Sequence, residues 1–333
     1  MDNLSAAIET ARVKLPNIRY SLDEPMKNHT SFKIGASLRA MFFPGNAKEL
    51  VELCKLLHEN EVTPLIFGNG TNLLADDSKP LGIIAIKTKA MDYVEQTGEE
   101  ELTAGAGISL PKLAEFACEL GLTGLEFAHG IPGSLGGAVS INAGAYGAEM
   151  RDVVYSTSAL SLDVFSHSHA KTVKGIVATS KTYAAAYTPN TAGVYTVFNA
   201  EHDFSYRYSR FSESGDIVLA SFIRLHRGDK ARIKAKMDEL YSRRRESQPL
   251  DLPSAGSTFK RPKEGYAAEL IEQAGLKGFA IGGAMVSEKH AGFVVNMGSA
   301  TYSDVMAVIE HVRSVVYERF GVELEQENKI VFG

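Results

Sequence analysis

The sequence predicts a mixed fold of helices and strands in two or three domains, and three observations carry that expectation. The chain has 333 residues, long enough for more than one sizeable core. Short apolar runs of strand length alternate with stretches of helical spacing around two glycine-dense loops. Near residue 228 this glycine-rich part gives way to a helix-rich segment. Hydrophobic residues make up 44% of the chain, a globular rather than a disordered composition.

The elements follow in order. Leu50, Val51, Leu53, Cys54 and Leu57 repeat at helical spacing and predict a helix over 48–60. Pro64 breaks it, and Leu65-Ile66-Phe67 reads as a short strand running into Gly68-Asn-Gly70-Thr-Asn-Leu-Leu74. Residues 82–86 form another strand. Ser109 is an N-cap, with Pro111 in the first turn and Gly121 just past the end of a second helix. Residues 161–200 are rich in Ser, Thr, Ala, Tyr and His, with Pro189-Asn190 and Gly193 as turn signals, and read as an extended excursion. His167 and His169 alternate there and are expected to be an exposed pair, since a metal site needs further ligands and none is near. A helix over 229–246 carries the apolar stripe Ile233, Met237, Leu240 and Tyr241 and ends in Arg243-Arg244-Arg245. Ser303 is expected to cap a last long helix with Val305, Ile309, Val312 and Val316 on one face, ended by Gly321. There is no internal repeat.

Charge and composition exclude several classes. The net charge of −5 gives no overall attraction to nucleic acid or to an anionic membrane, so an anionic ligand must be held by a local basic cluster. Cys54 and Cys118 each sit on the apolar side of a predicted helix and read as small buried hydrophobes rather than a redox pair or a disulfide. No run approaches the roughly 20 apolar residues of a membrane span. The first twenty residues lack the apolar core of a signal peptide, so a cytoplasmic protein is expected.

The chemistry begins at Gly130-Ile-Pro-Gly-Ser-Leu-Gly-Gly-Ala-Val-Ser-Ile-Asn-Ala-Gly-Ala-Tyr-Gly147. Glycine so dense weakens helix and strand alike. Its use is close backbone approach, or turns that aim several N–H groups at one anion. The Gly68 and Gly105 clusters each open like a dinucleotide fingerprint, but Leu73 and Leu110 stand where the third glycine packs helix on strand. A Rossmann site is therefore disfavoured. Each cluster alone suits a tight turn; together with 130–147 they suit a phosphate cradle and a nucleotide cofactor, with Asn72 and Asn142 available to add side-chain hydrogen bonds. Arg207, set among Phe204, Tyr206, Tyr208 and Phe211, is either a stacked structural arginine or a guanidinium held for a carboxylate. The arginines at 243–245 suit a helix C-terminus. In Ser254-Ala-Gly-Ser-Thr-Phe-Lys-Arg261, a serine follows glycine and two cations follow the serine, which suits an anionic substrate. No G-x-S-x-G elbow is present, so a hydrolase triad is not expected. Glu325 and Glu327 alternate onto one face, and by themselves read as surface carboxylates.

These motifs, taken with Asn28-His-Thr-Ser-Phe-Lys-Ile-Gly35, Gly124-Leu-Glu-Phe-Ala-His129, Tyr206-Arg-Tyr-Ser209 and Leu324-Glu-Gln-Glu327, resemble the UDP-N-acetylenolpyruvoylglucosamine reductases, flavoproteins that make UDP-N-acetylmuramate for peptidoglycan. The resemblance runs from about Asn28 to the end. It implies an α+β fold with a vanillyl-alcohol-oxidase-type (PCMH-like) FAD-binding domain in two subdomains, 1–92 and 93–227. A smaller α+β substrate-binding domain would follow at 228–319, and then a C-terminal strand at 320–333 returning to the active site. It implies non-covalent FAD and NADPH as hydride donor. Ser257 would be the proton donor, Arg207 the carboxylate and enolate stabiliser, and Glu327 the third catalytic residue. The cofactor would rest on Gly68, Asn69, Gly70, Thr71, Asn72 and Leu73, on Gly130, Ile131, Pro132, Gly133, Ser134, Gly136 and Gly137, and on Asn142, Gly144 and Tyr146. Arg244, Lys260, Arg261 and Tyr206 would bind the substrate, an anionic nucleotide sugar. No metal, nucleic acid or membrane is implied, and the chain would be a monomer.

Three departures stand out. The family commonly flanks the final glutamate with proline and valine, where this chain has Gln326 and Asn328. Arg261 replaces an asparagine of some members. Residues 161–200 are longer than the matching hairpin. The short connection from Phe211 to Arg243 resembles the subclass without an extra substrate-covering loop. The alternatives are a flavin oxidase of alcohols or sugars, with His129 as a conceivable covalent anchor, and a nucleotide-sugar binding protein without catalysis.

Overall fold

A computed structural model describes residues 2–162 and 193–333. Most of the predicted 161–200 excursion, including His167 and His169, lies outside the described residues. By internal packing the chain divides into two units. The first comprises Met1–Ser21, Ala40–Asn69 and Ile84–Tyr241; the second comprises Leu22–Arg39, Gly70–Ile83 and Ser242–Gly333.

The first unit holds two cores. One is built on a five-stranded sheet in the order Val194–Phe198, Val154–Leu160, Ile217–Arg224, Glu101–Gly105, Val94–Gly98, antiparallel throughout. Its inner strands are buried nearly end to end, as expected where both faces are covered. Helices Leu110–Glu119 and Leu135–Ser140 supply Leu113, Ala117, Leu135 and Val139 to this core. The Ser109 cap is as predicted, its hydroxyl accepting from the Lys112 N–H at 3.4 Å. The other core gathers helices Asn3–Lys14 and Ala47–Glu59 with Ala40, Phe42, Ile84 and Ile86. Strand Leu65–Phe67 pairs parallel with 85–87, setting Phe67 opposite Lys87 and delivering the first glycine loop from a fixed point. Cys54 and Cys118 are buried free thiols, as the spacing predicts; desolvation pushes the Cys54 thiol up to about 12.

In the helix Lys230–Ser247, Ile233, Met237 and Leu240 are buried, but Tyr241 is 44% exposed. Its ring meets His129 edge-on with centroids 5.7 Å apart. The expected fourth stripe position is thus a surface tyrosine, whose amphipathic ring tolerates the half-wet site.

The second unit packs a three-stranded antiparallel sheet, Ala280–Ile281, Ala284–Val286 and Val294–Asn296, against helices Ala267–Gln273 and Tyr302–Phe320. Leu73–Ala75 pairs parallel with Lys329–Val331, so the chain's last strand is held by the residues just past the first glycine loop. The long helix buries Val305, Val308, Ile309, Val312 and Val316 and ends at Gly321 in the left-handed region, as predicted. Its cap is Thr301, not Ser303. The Thr301 hydroxyl accepts from the Asp304 N–H at 3.1 Å, and the Asp304 carboxylate accepts from the Thr301 N–H at 3.0 Å. Ser303 has no acidic residue three positions on, so the reciprocal pair forms two residues earlier. Among the described residues no helix is long and apolar enough to cross a membrane.

Replacing Thr301 by alanine is expected to cost about 1 kcal/mol of stability, read as a lower urea midpoint. Ser303→Ala should change it by less than about 0.5 kcal/mol. The reverse order would return the cap to Ser303.

Candidate active site

The first unit builds a glycine cradle. Asn69 reaches the second glycine loop, its Nδ2 donating to the Pro132 carbonyl at 3.3 Å. A Cβ added at Gly68 would collide with Ser134 Oγ, and one at Gly136 would sit 2.9 Å from Ala106 Cβ. Those glycines are required by protein packing. Gly133 and Gly137 are different: their φ values are not positive, and an added Cβ meets no protein atom closer than 3.9 and 3.5 Å. The fold asks for neither as glycine. Both leave room for a ligand to approach the backbone, and Gly137 is exposed. The loop thus fits a bound dinucleotide's phosphates at residues where the protein's own packing leaves room. Lys87, 93% buried with its ammonium 5.4 Å from the Phe67 ring centroid, stands opposite Phe67 at the start of the Gly68 loop; a lone lysine ending an apolar strand gave no signal in the sequence.

The remainder of the glycine segment serves the arginine loop. Asn142 is buried, and its side chain is directed into the protein: Nδ2 donates to the Ser205 carbonyl at 3.1 Å, and Oδ1 accepts from the Arg151 N–H at 3.0 Å. The Ser140 carbonyl accepts from Ser209 Oγ at 2.8 Å and Ser212 Oγ at 2.5 Å. Between these anchors Ser205 and Tyr208 exchange backbone bonds of 3.1 and 3.2 Å, closing a two-residue turn that carries Tyr206 and Arg207. Arg207 has φ +53°, a left-handed conformation costing on the order of 1–3 kcal/mol for a non-glycine residue, which persists only where the surroundings enforce it. Its guanidinium lies 5.5 Å from the Tyr206 ring centroid. Tyr146, with φ +56°, is presented at the tip of the hairpin Gly144–Ala145/Ala148–Glu149, and is 42% exposed.

His202 anchors the same loop from below, a role sequence reasoning missed. It is fully buried. Its Nδ1 lies 2.7 Å from the Phe198 carbonyl and its Nε2 2.8 Å from Thr157 Oγ1. A carbonyl only accepts, so Nδ1 carries the proton and Nε2 accepts from Thr157. The ring stacks on Phe204 with centroids 4.5 Å apart, and the Arg210 N–H donates to the His202 carbonyl at 2.8 Å. Desolvation by burial is the main cause lowering its pKa below 6.5.

In the second unit an isolated antiparallel bridge joins Phe259 to Gln326. The Glu327 N–H donates to the Thr258 carbonyl, and the Lys260 N–H to the Glu325 carbonyl, both at 2.8 Å. Ser257 and Glu327 are therefore brought onto neighbouring segments. Gly256 has φ +79° with open space at its Cβ position: the backbone turn before Ser257 demands glycine. Lys260 Nζ pairs with the Glu325 carboxylate at 2.5 Å. The Arg261 guanidinium stacks 4.0 Å from the Tyr266 ring centroid, and Arg244 Nε donates to Gln248 at 2.9 Å. The Asn28–Gly35 motif braces this side: Ser31 donates from its N–H to the Gly70 carbonyl at 3.1 Å and from Oγ to the Ser254 carbonyl at 2.6 Å. Asn72, expected near the cofactor, directs its amide toward the last strand. Nδ2 donates to the Glu327 carbonyl at 3.3 Å, and Oδ1 accepts from Asn328 at 3.0 Å. Arg207 belongs to the first unit and Ser257 and Glu327 to the second. Among the described residues no group of three His, Cys, Asp or Glu side chains suits a metal.

The cradle and its sheets define an FAD-binding oxidoreductase: residues 38–164 match the FAD binding domain family. Residues 248–331 match the C-terminal domain of UDP-N-acetylenolpyruvoylglucosamine reductase. The reductase of Caldanaerobacter subterraneus subsp. tengcongensis is 46% identical over 93% of this chain and 93% of that protein. That of Geobacillus kaustophilus is 40% identical over 93% and 92%. The crystal structure of the Thermus caldophilus reductase superposes with a TM-score of 0.71 at 28% identity, covering 94% of this chain and 98% of that one. The chain belongs to the UDP-N-acetylenolpyruvoylglucosamine reductase family. It has the α+β fold expected, is an enzyme, and uses FAD. A flavin oxidase or a non-catalytic binding protein is not favoured.

Two outcomes check the geometry. Gly137→Ala should leave the thermal midpoint of the FAD-free protein no lower, or slightly raised by helix propensity, while weakening FAD binding in a fluorescence titration, whereas Gly136→Ala should lower that midpoint by overpacking. Weaker FAD binding from Gly136→Ala alone would remove the cradle from Gly137. For His202, the unfolded state binds more protons just below pH 6.5 than the folded state does. Its stabilising share is therefore full above that value and lost as pH falls through and below it. Between about pH 7.5 and about pH 5.5, the urea midpoint of the native protein should drop further than that of His202→Gln; equal drops would dismiss His202 as the titrating group.

Proposed function

We propose that this chain catalyses the NADPH-dependent reduction of UDP-N-acetyl-enolpyruvoylglucosamine to UDP-N-acetylmuramate, with Arg207, Ser257 and Glu327 as its catalytic residues. The observation that best supports these roles is the pairing around Phe259 and Gln326, which sets Ser257 and Glu327 on adjoining segments. It is joined by the strained turn that holds Arg207 out from three anchors.

The substrate is an enol ether conjugated to a carboxylate. When bound, reduced FAD supplies a hydride to its terminal methylene carbon. Negative charge then spreads from the adjacent carbon into the carboxylate. Arg207 stabilises that charge most in the transition state, since the guanidinium is already positioned. Ser257 donates its hydroxyl proton to the adjacent carbon. An enolate is a strong enough base to take it, and Gly256 lets the serine be aimed at one face. Glu327 orients or polarises the reacting group. Positioned proton transfer of this kind contributes roughly 10²–10⁴-fold in rate. Arg244, Lys260 and Arg261 offer cations to the substrate diphosphate, with Tyr206 beside Arg207. Gly68–Leu73 and Gly130–Gly137 would hold the FAD phosphates, with Gly144 and Tyr146 on that side and Asn142, its amide committed to the Ser205 carbonyl and the Arg151 N–H, bracing the loop behind them. In this reading residues 1–92 and 93–227 bind FAD, 228–319 bind substrate, and 320–333 bring Glu327. The chain works as a monomer in the cytoplasm.

Ser257→Ala tests the assignment by half-reactions. Mixed anaerobically with NADPH, the yellow variant should bleach nearly as fast as the native enzyme. Return of colour on adding the enolpyruvyl nucleotide sugar should be slower by about 10²-fold or more. Failed bleaching with normal reoxidation would overturn the role of Ser257.

A further inference from the structure

We propose that Asn328 is a positioning residue for proton delivery: from the last segment of the chain, its side-chain amide holds the Ser257 loop and the Glu327 segment in register. This rests on the reading of Ser257 as proton donor.

Asn328 is 94% buried. Its Nδ2 donates to the Ala255 carbonyl at 2.8 Å, to Asn72 Oδ1 at 3.0 Å and to the Ser257 carbonyl at 3.3 Å. One amide thus satisfies the backbone on both sides of Gly256, the residue whose left-handed φ of +79° aims Ser257. The partner amide completes the loop: Asn72 Nδ2 donates to the Glu327 carbonyl at 3.3 Å. The Lys329 N–H donates to the Asn72 carbonyl at 2.9 Å. Three stretches far apart in sequence, at 72, 255–257 and 327–329, therefore converge on two facing amides. Glycine at 256 gives the serine its direction but no stiffness. Stiffness has to come from bonds to the flanking carbonyls, and the Asn328 amide supplies one on each side. With the Asn328 side chain itself buried, these bonds are directional, and removing their donor leaves the Ala255 and Ser257 carbonyls without that partner. Neither amide is an acid or a nucleophile, so the effect is on where the hydroxyl points rather than on the chemistry itself.

The test uses purified, FAD-loaded Asn328→Leu, close to the native side chain in shape, in anaerobic stopped flow with the two half-reactions followed separately in H₂O and D₂O. Bleaching by NADPH should stay within about twofold of native, while reoxidation by the enolpyruvyl nucleotide sugar slows by at least about tenfold. The solvent isotope effect on reoxidation should grow, since a poorly aimed proton becomes the limiting event. Reoxidation within about twofold of native, or both half-reactions slowed equally with the isotope effect unchanged, overturns the proposal. Should the leucine variant fail to fold, Asn328→Ser carries the same measurement, with reoxidation slowed by about threefold or more and the same rise in isotope effect; no change overturns it. Ser257→Ala run alongside separates the two readings. If it is slow while both Asn328 variants are normal, only the role of Asn328 fails. If Ser257→Ala itself reoxidises normally, the reading of Ser257 fails and takes this inference with it.

Discussion

The bonds that Ser140 and Asn142 make to the 205–212 loop are the constraint on which the placement of Arg207 rests. Arg207 sits in a backbone conformation that a side-chain-bearing residue does not adopt freely. It persists because the turn is tied at Ser205, Ser209 and Ser212, and underneath at His202. The ties at Ser205, Ser209 and Ser212 come from the end of the same segment whose beginning forms the glycine cradle. One stretch of chain, 130–147, therefore both forms the glycine cradle and ties down the arginine loop, and the helix and strand within it are correspondingly short.

The second unit solves the same problem with the same two kinds of side chain, a serine hydroxyl and an asparagine amide. Ser254–Lys260 is a loop, and a loop wanders unless its backbone groups are claimed. Here they are claimed from three directions: by Ser31 at the Ser254 carbonyl, by Asn328 at the Ala255 and Ser257 carbonyls, and by the Glu327 N–H at the Thr258 carbonyl. The Asn328 bond to Ala255 is buried and the bonds of Ser31 and of Asn328 to Ser257 are part-buried, so each favours one arrangement over any other. The short parallel pair of Leu73–Ala75 with Lys329–Val331 sets the register in which the amides meet.

Much of this was legible in the residues. The helices at 48–60, 109–121 and 229–246 follow from apolar spacing and from caps that are local features. The glycine loops announced themselves by composition, and their motifs pointed to the family. Other features were illegible for a common reason: they depend on partners distant in the chain. Asn72 and Asn142 look like phosphate ligands because nothing nearby in sequence satisfies them, yet their amides meet residues 255 and 63 positions away. His202 gives no signal beyond being one histidine among nine. Thr301 and Ser303 compete for one cap, and only the Asp304 carboxylate decides between them. Tyr241 fits a helical stripe by spacing but faces His129 at the surface.

The sequence by itself determined the secondary elements, the two glycine loops, the serine after glycine and the family, because these depend on neighbours a few positions apart or on motifs whose order is fixed along the chain. Only the tertiary structure decided which glycines serve the protein's own packing and which leave room for a ligand, and which buried amides and imidazole hold the 205–212 and 254–260 loops. Those choices turn on hydrogen bonds and close approaches between residues tens to hundreds of positions apart, whose pairing a linear pattern does not encode.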